Sequence, residues 1–338
     1  MRKLLNTIYV TSENAYLCLD GENFVCREDD SVKARIPFDN IESIVCINYP
    51  GCSPALMGKC AQKLIPISFI SPQGTFLAKV YAGTRGNVFL RIQQIDCFRE
   101  NGLLLAKNSM AAKVTNSVGV LKRTLHDTPD LRSDPQIVRV VQALTDAIDS
   151  IFAADSYESL LGIEGACAKE YYGVLGKAFK NPDFSFDGRT KRPPLDPVNA
   201  VLSFVYTLYT NEFAAGLETV GLDSYIGFYH KLRSGRSSLA CDLVEEARCI
   251  VDRFTITLFN LKILQQKDFQ PEEGGAVYLN DGGRKKVIAH WQEKKRSDIV
   301  HPYLKQKIQL GLLPYVQSNL LAKHIRGELE EYPCYLNG

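Results

Sequence analysis

Near residue 82 the spacing of apolar residues in this chain changes period, and that change divides what the two parts can fold into. Before it, short apolar segments (TIYV at 7–10, AYLCL at 15–19, NFVC at 23–26, ESIVCI at 42–47) are separated by turn signals such as Asp20-Gly21. IPISFI at 65–70 and TFLAKVY at 75–81 flank Pro72-Gln73-Gly74 like the arms of a hairpin. Between the two groups, SPALMGKCAQKL at 53–64 suits one short helix. After Ala82-Gly83, apolar residues recur three and four apart over 88–118, 134–155, 157–180, 197–218, 238–266 and 303–327, which is the helical period. NPDFSFDGRTKRPPLDP at 181–197 reads as a loop and PEEGGAVYLNDGGRKK at 271–286 as a small hairpin. The expected fold is α+β: a small N-terminal β-sandwich-like domain over residues 1–83, then a larger, mostly α-helical domain over 84–338.

With 338 residues, 45% of them hydrophobic, the chain has ample material for packed cores. Its 40 basic and 38 acidic residues nearly cancel, so a nucleic-acid surface has to come from local clustering. The ten cysteines are scattered without a CxxC pair and read as small buried thiols of a reducing cytoplasm. Met1-Arg2-Lys3 mimics the start of a signal peptide, but Asn6 breaks the apolar run after it, and no export signal is read. PVNAVLSFVYTLYTN at 197–211, the longest uncharged stretch, falls short of the ~20 residues that a membrane span needs. It reads as a core helix, and the chain as a soluble cytoplasmic protein without a membrane partner.

One stretch does not fit ordinary core packing. In LLGIEGACAKEYY, residues 160–172, a helix places Leu160, Glu164, Cys167 and Tyr171 in one row, so a carboxylate interrupts an apolar stripe. Burying it ionised costs several kcal/mol unless a cation, a proton or an opposite charge accompanies it. A second such stretch is GFYHKLRSGRSSLACDLVEEAR, residues 227–248. On a helix beginning near Ser238, Asp242, Glu245 and Cys249 share a side, Leu239, Leu243, Glu246 and Ile250 line the next, and His230 precedes the helix across a loop.

Glu164, His230 and Glu245, with Asp242 beside them, suit a hard or borderline divalent cation such as Mg²⁺ or Mn²⁺. Spacing alone favours a plainer reading: Asp242 and Glu246 as solvated helix charges, His230 as a loop cap, Glu164 paired with a nearby Lys or Arg. Lys231, Arg233 and Arg236 in the loop, Arg248 one turn after the carboxylates, and Arg189, Lys191 and Arg192 in the 181–197 loop add local positive charge of the kind that a phosphate backbone requires. The run Arg284, Lys285, Lys286 and Lys294, Lys295, Arg296 around Trp291 reads instead as solubility and packing. No GxSxG elbow, P-loop, GxGxxG or HExxH is present. A carboxylate pair for glycoside hydrolysis fits the pattern less well, because the neighbours are Arg and Lys and not exposed aromatics.

In order and content, LLGIEGACAKEYY, DPVNAVLSFVYTLYT and GLDSYIGFYHKLRSGRSSLACDLVEEAR resemble three motifs of the CRISPR-associated adaptation integrase family, Cas1, and the resemblance spans nearly the whole chain. LDGENFVC is similar to that family's β domain, and the opening LNTIYVTSENAYL resembles the variant of subtype I-C systems. The resemblance implies an asymmetric homodimer whose N-terminal domain serves dimerisation and partner contacts. It also implies a small companion protein, Cas2, in a heterohexameric-type complex. The implied reaction is a metal-dependent endonuclease and integrase activity that inserts short foreign DNA into the CRISPR array, a prespacer 3′-hydroxyl attacking a repeat phosphodiester. DNA, as prespacer duplex and as CRISPR repeat and leader, is then the substrate.

Carried over residue by residue, the catalytic, metal-binding set is Glu164, His230 and Glu245, with Mg²⁺ or Mn²⁺ as cofactor. Asp242, Asn199 and Tyr206 support the site. Lys231, Arg233, Arg236, Arg248, Arg189, Lys191 and Arg192 hold DNA. Some members carry Asp where this chain has Glu245, which leaves the division of work between Asp242 and Glu245 open. The competing readings are a catalytically silent DNA-binding scaffold and a stand-alone metal-dependent DNA nuclease.

Overall fold

A computed structural model describes residues 7–29, 31–48, 50–80 and 88–337. The expected domain boundary at Ala82-Gly83 and the charged start Met1-Arg2-Lys3 lie outside the described residues.

The N-terminal domain contains β1 (Thr7–Val10), β2 (Ala15–Asp20), β3 (Asn23–Glu28), β4 (Ser31–Pro37), β5 (Ser43–Ile47), β6 (Gly51–Cys52), α1 (Pro54–Gln62), β7 (Ile67–Ile70) and β8 (Phe76–Val80). They make two four-stranded sheets, ordered β1-β5-β7-β8 and β4-β3-β2-β6. Leu17, Phe24 and Cys26 of one sheet and Ile44, Cys46 and Ile67 of the other share a core with Phe38, Leu56 and Cys60, so the sandwich expected from the alternating segments forms. Strand β4 was not legible in the sequence: SVKARIP is largely exposed and charged, the composition of a protected sheet edge. Helix α1 starts where Ser53 accepts from the Leu56 amide and Pro54 occupies the first turn. All ten cysteines are free thiols.

The second domain contains α2 (Val88–Asp127), α3 (Pro135–Ala153), α4 (Tyr157–Leu175), α5 (Pro197–Val220), α6 (Ser238–Asn260), β9 (Phe269–Pro271), β10 (Val277–Leu279), α7 (Asp281–Arg296), β11 (Asp298–Val300), β12 (Lys307–Gln309) and α8 (Leu313–Ile325). The helix starts follow local chemistry. Asp134, Ser156 and Asp196 cap α3, α4 and α5 by accepting from amides two or three residues on, and prolines open α3 and α5. At its far end α5 stops at Gly221, which takes φ 92°. Helix α2 runs nine residues beyond the expected end at 118, because Val120, Leu121 and Thr124 continue its buried face. Helices α4 and α6 pack against it, and α5 packs against α6 and α8. Among the described residues no helix is long and apolar enough to cross a membrane, and PVNAVLSFVYTLYTN lies within the buried α5.

Three expectations need correction. The helix read over 303–327 begins at Leu313; the residues before it form the ribbon β11–β12, which Lys305 turns with φ 54° before Pro314 opens the helix. Helix α6 ends at Asn260 and not at 266, with Lys262 at φ 54°. The hairpin is β9–β10, turned by Gly274 and Gly275 at positive φ, whereas DGGRKK opens α7, capped by Asn280.

The basic run around Trp291 does more than solvate the chain. Lys295, 3% exposed, donates to Glu212 of α5 at 2.9 Å, and Trp291 Nε1 and Tyr9 of β1 each donate to the same oxygen at 3.2 Å. Arg284 donates to the Pro72 and Leu279 carbonyls, to Asn48 and to Asp281. These bonds join the sandwich to the helical domain.

Candidate active site

The site forms where α2, α4 and α6 meet. Asp242, fully buried on the first turns of α6, accepts from the backbone amides of Phe228 (2.7 Å), Tyr229 (3.1 Å) and His230 (2.8 Å), and lies 2.7 Å from His230 Nδ1. Both of its oxygens therefore hold the 228–230 loop. Gly227 makes this approach possible, since a Cβ there would meet Asp242 Oδ2 at 2.5 Å and Ser238 at 2.9 Å. The ring's Nδ1 faces the Asp242 carboxylate, and its Nε2 lies 3.8 Å from Glu245 Oε1. Asp242 thus touches the loop and the Nδ1 side of the ring, and Glu245 lies on the Nε2 side.

Glu245, 2% exposed, lies 2.7 Å from Lys113 Nζ and 2.7 Å from Arg248 Nε. Glu164 lies 2.5 Å from the same Lys113 nitrogen and accepts from Tyr229 Oη at 2.5 Å. The odd carboxylate of the apolar stripe therefore has a lysine partner, as the plainer reading anticipated, and that lysine also binds the second carboxylate. Burial opposes ionisation of both acids, but for Glu164 the Lys113 charge, and for Glu245 the Arg248 and Lys113 charges, outweigh it and hold the carboxyls below their ordinary range. Lys113 shows the mirror image: burial disfavours its charge, and Glu245 and Glu164 raise its pKa nonetheless.

Sequence reasoning missed Lys113 and Tyr229. The available signal was a lysine inside the small apolar run MAAKV at 110–114 and a tyrosine next to the singled-out histidine.

The supporting residues hold neighbouring parts. Asn199, fully buried, accepts from Arg189 Nη1 (2.7 Å) and the Thr190 amide (3.0 Å) and donates to the Gly188 carbonyl (2.8 Å) and Asp196 (2.5 Å), which fixes the 188–190 loop. Tyr206 donates to Asp252 at 2.5 Å, and its ring carries the Arg248 guanidinium at 4.6 Å. Tyr171 donates to the other Asp252 oxygen at 2.8 Å, and burial raises the Asp252 pKa.

The seven basic residues grouped in the sequence separate. Arg189 is turned inward, donating to Asn199 and Ser203, and Arg248 lies against Glu245 and the Tyr206 ring. Lys191, Arg192, Lys231 and Arg233 are exposed, and Arg236 is half-buried. Although Lys191 is exposed as a residue, the nearby Arg248 charge, with the crowding of protein around its ammonium, lowers its pKa to about 8. Glu246, read as a solvated charge, is instead fully buried: Gln317 and Tyr332 donate to it at 2.8 and 2.5 Å, and the Tyr335 amide at 3.0 Å, pinning the C-terminal segment behind α6.

Two carboxylates and an imidazole nitrogen are the donor chemistry of a hard or borderline divalent cation. Among the described residues no three His, Cys, Asp or Glu side chains clasp a common point as they stand. Glu164 and Glu245 converge instead on the Lys113 ammonium, so the donors fit an ion and a protein cation lies between them.

The sandwich followed by helices is a fold that this chain shares with solved structures of a casposase and of a Cas6-RT-Cas1–Cas2 complex. A casposase bound to integration product matches with TM-score 0.83 at 21% identity, over 96% of this chain and 92% of that one. A chain of a Cas6-RT-Cas1–Cas2 complex matches with TM-score 0.84 at 20% identity, over 100% of this chain and 37% of that one. The family described as CRISPR associated protein Cas1 matches residues 8–293. The CRISPR-associated endonuclease Cas1 2 of Rhodospirillum rubrum is 42% identical over 98% of each chain. This chain belongs to the Cas1 family, the endonucleases and integrases of CRISPR adaptation.

Proposed function

We propose that the chain joins DNA by metal-dependent transesterification: a prespacer 3′-hydroxyl attacks a repeat phosphodiester of the CRISPR array, and water in place of that hydroxyl gives the endonuclease reaction. The observation that carries this reading is the convergence of Glu164 and Glu245 beside His230 Nε2, with Asp242 presenting the ring. Glu164, Glu245 and His230 would hold Mg²⁺ or Mn²⁺, whose Lewis acidity stabilises charge on phosphate oxygens.

The remaining work falls to the chain itself. One P–O bond forms as another breaks, so the exchange needs no external energy source. Asp242 keeps His230 in one orientation, and Arg248, braced by Tyr206, supplies fixed positive charge where the phosphorane gains negative charge. Lys191, Arg192, Lys231, Arg233 and Arg236 hold backbone phosphates, a sequence-tolerant and salt-sensitive task. Sequence choice at the array then comes partly from DNA shape and bending.

The protein works as a homodimer with Cas2 in a heterohexameric-type assembly in the cytoplasm, where the array is. The likeness to a chain of a Cas6-RT-Cas1–Cas2 complex supports the Cas2 partnership. A second reading, a silent DNA-binding scaffold, has one observation in its favour: Lys113 already neutralises Glu164.

Strand transfer of a labelled 3′-OH duplex into a supercoiled plasmid bearing a CRISPR repeat separates the two. The assay is run with Mg²⁺, Mn²⁺ or EDTA, with and without Cas2, for wild type and Glu164→Ala. Joined product is expected only with metal and intact Glu164. DNA binding without joining under every metal would replace the integrase reading with the scaffold.

A further inference from the structure

We propose that Lys113 is the resident cation of this site: its ammonium occupies the place between Glu164 and Glu245 that a divalent ion takes, so lysine and metal compete for the same two carboxylates. The inference rests on the metal reading above and assigns a positioning role to a residue outside the sequence motifs.

Lys113 Nζ lies 2.5 Å from Glu164 and 2.7 Å from Glu245, reaching from α2 to join α4 to α6. Glu245 is also paired with Arg248 at 2.7 Å. Glu164 and Glu245 are thus already balanced by two cations, with the Asp242 carboxylate behind His230 in addition. A divalent ion added with both cations in place would turn that balance into an excess of positive charge in a half-buried setting, where imbalance is costly. One cation has to withdraw.

Arg248 is poorly placed to do so. It sits three residues from Glu245 on the same helix, and its guanidinium rests 4.6 Å over the Tyr206 ring. Lys113 is different: a flexible four-carbon stem carries its ammonium, which is held through the carboxylates themselves. Beside it lies a cavity of about 20 Å³, room for one water, whose lining includes the polar groups of Ser117, Tyr172 and Asp252 and also Arg248 and apolar side chains. The ammonium can retreat there. Before metal arrives, Lys113 keeps Glu164 and Glu245 from repelling one another and holds their helices in register.

The test is Mn²⁺ binding to the full chain without DNA, read from loss of the free-ion EPR signal. Three proteins are compared: wild type, Lys113→Met, and Lys113→Met combined with Glu164→Gln. Lys113→Met is expected to bind Mn²⁺ about tenfold tighter or more, removal of a competing charge being worth at least ~1.4 kcal/mol. Adding Glu164→Gln is expected to erase that gain. Equal or weaker binding by Lys113→Met overturns the resident-cation proposal while leaving the metal reading intact, provided wild type binds. If wild type and Lys113→Met both fail to bind Mn²⁺ at millimolar concentration, both fall. Should Lys113→Met not fold, Lys113→Arg keeps the charge in a rigid fork that withdraws less readily. It is expected to bind Mn²⁺ more weakly than wild type, and equal or tighter binding overturns the proposal.

Discussion

Asp242 Oδ1 lies 2.7 Å from His230 Nδ1 and 2.8 Å from the His230 backbone amide, so a single carboxylate oxygen fixes both the ring and the loop that carries it. An asparagine at this position keeps the shape but turns a donor toward groups that are themselves donors. Asp242→Asn should therefore lower unfolding stability by about 1–3 kcal/mol, the cost of unpaired buried donors. It should also reduce strand transfer by roughly 10–100-fold, as disturbing the groups behind a metal-binding histidine does. Urea denaturation and initial joining rates check both, and full activity would show that the loop stands without Asp242.

The inward and outward bases should behave differently. Replacing Lys231, Arg233 and Arg236 together with Ala should weaken DNA binding and flatten the slope of log K against log salt by up to about 2.7, three phosphate contacts at about 0.9 each. Arg189→Ala should leave that slope unchanged and instead cost about 1–3 kcal/mol of stability, because Asn199 and Ser203 lose their partner. Filter binding across a salt series, beside denaturation, separates the two. A changed slope for Arg189→Ala would place its guanidinium on DNA.

Asp252 carries a pH signature of its own. Burial raises its pKa in the fold, so the folded chain holds that proton more tightly than the unfolded one. The stability it contributes is complete below the ordinary aspartate range and is lost as pH rises through the folded value. Glu245 and Glu164 have the opposite sign: their lowered pKa values give stability that is present above the ordinary glutamate range and lost as pH falls. Asp252→Asn removes only the first effect and can still pair with Tyr206 and Tyr171. Its stability relative to wild type should therefore be higher at pH 7.5 than at pH 4.5 in urea melts. A pH-independent difference would show that Asp252 titrates alike in both states.

Glu212 ties the domains together, since it accepts from Tyr9, Trp291 and the buried Lys295. Glu212→Ala leaves an uncompensated ammonium between the sandwich and the helices, and should cost about 3–5 kcal/mol. Guanidinium melts measure the loss. A loss below ~1 kcal/mol would mean that Lys295 finds another partner or turns to solvent.

Much of this molecule was legible because its causes are local. The change of period near residue 82 separated sandwich from helices, and the helices expected from 134, 157 and 197 start where Asp134, Ser156 and Asp196 cap them through amides only two or three residues away. Glu164 announced itself as a carboxylate in a stripe completed by Leu160, Cys167 and Tyr171, all of which are buried. The motifs around it carried the family. What answered Glu164 was not legible: Lys113 is 51 residues away in a helix without a motif, and only the packing of α2 against α4 and α6 brings the three charges together. Asp242 and Glu245, one helical turn apart, took different surroundings only when the loop at His230 closed over α6. Likewise Arg189 and Lys191, two residues apart in a charged loop, point to opposite environments because the buried Asn199 claims the first. Period and capping depend on neighbours along the chain, so a sequence determines them by itself. The partner of a buried charge depends on which surfaces meet in space, and only the tertiary structure decides that.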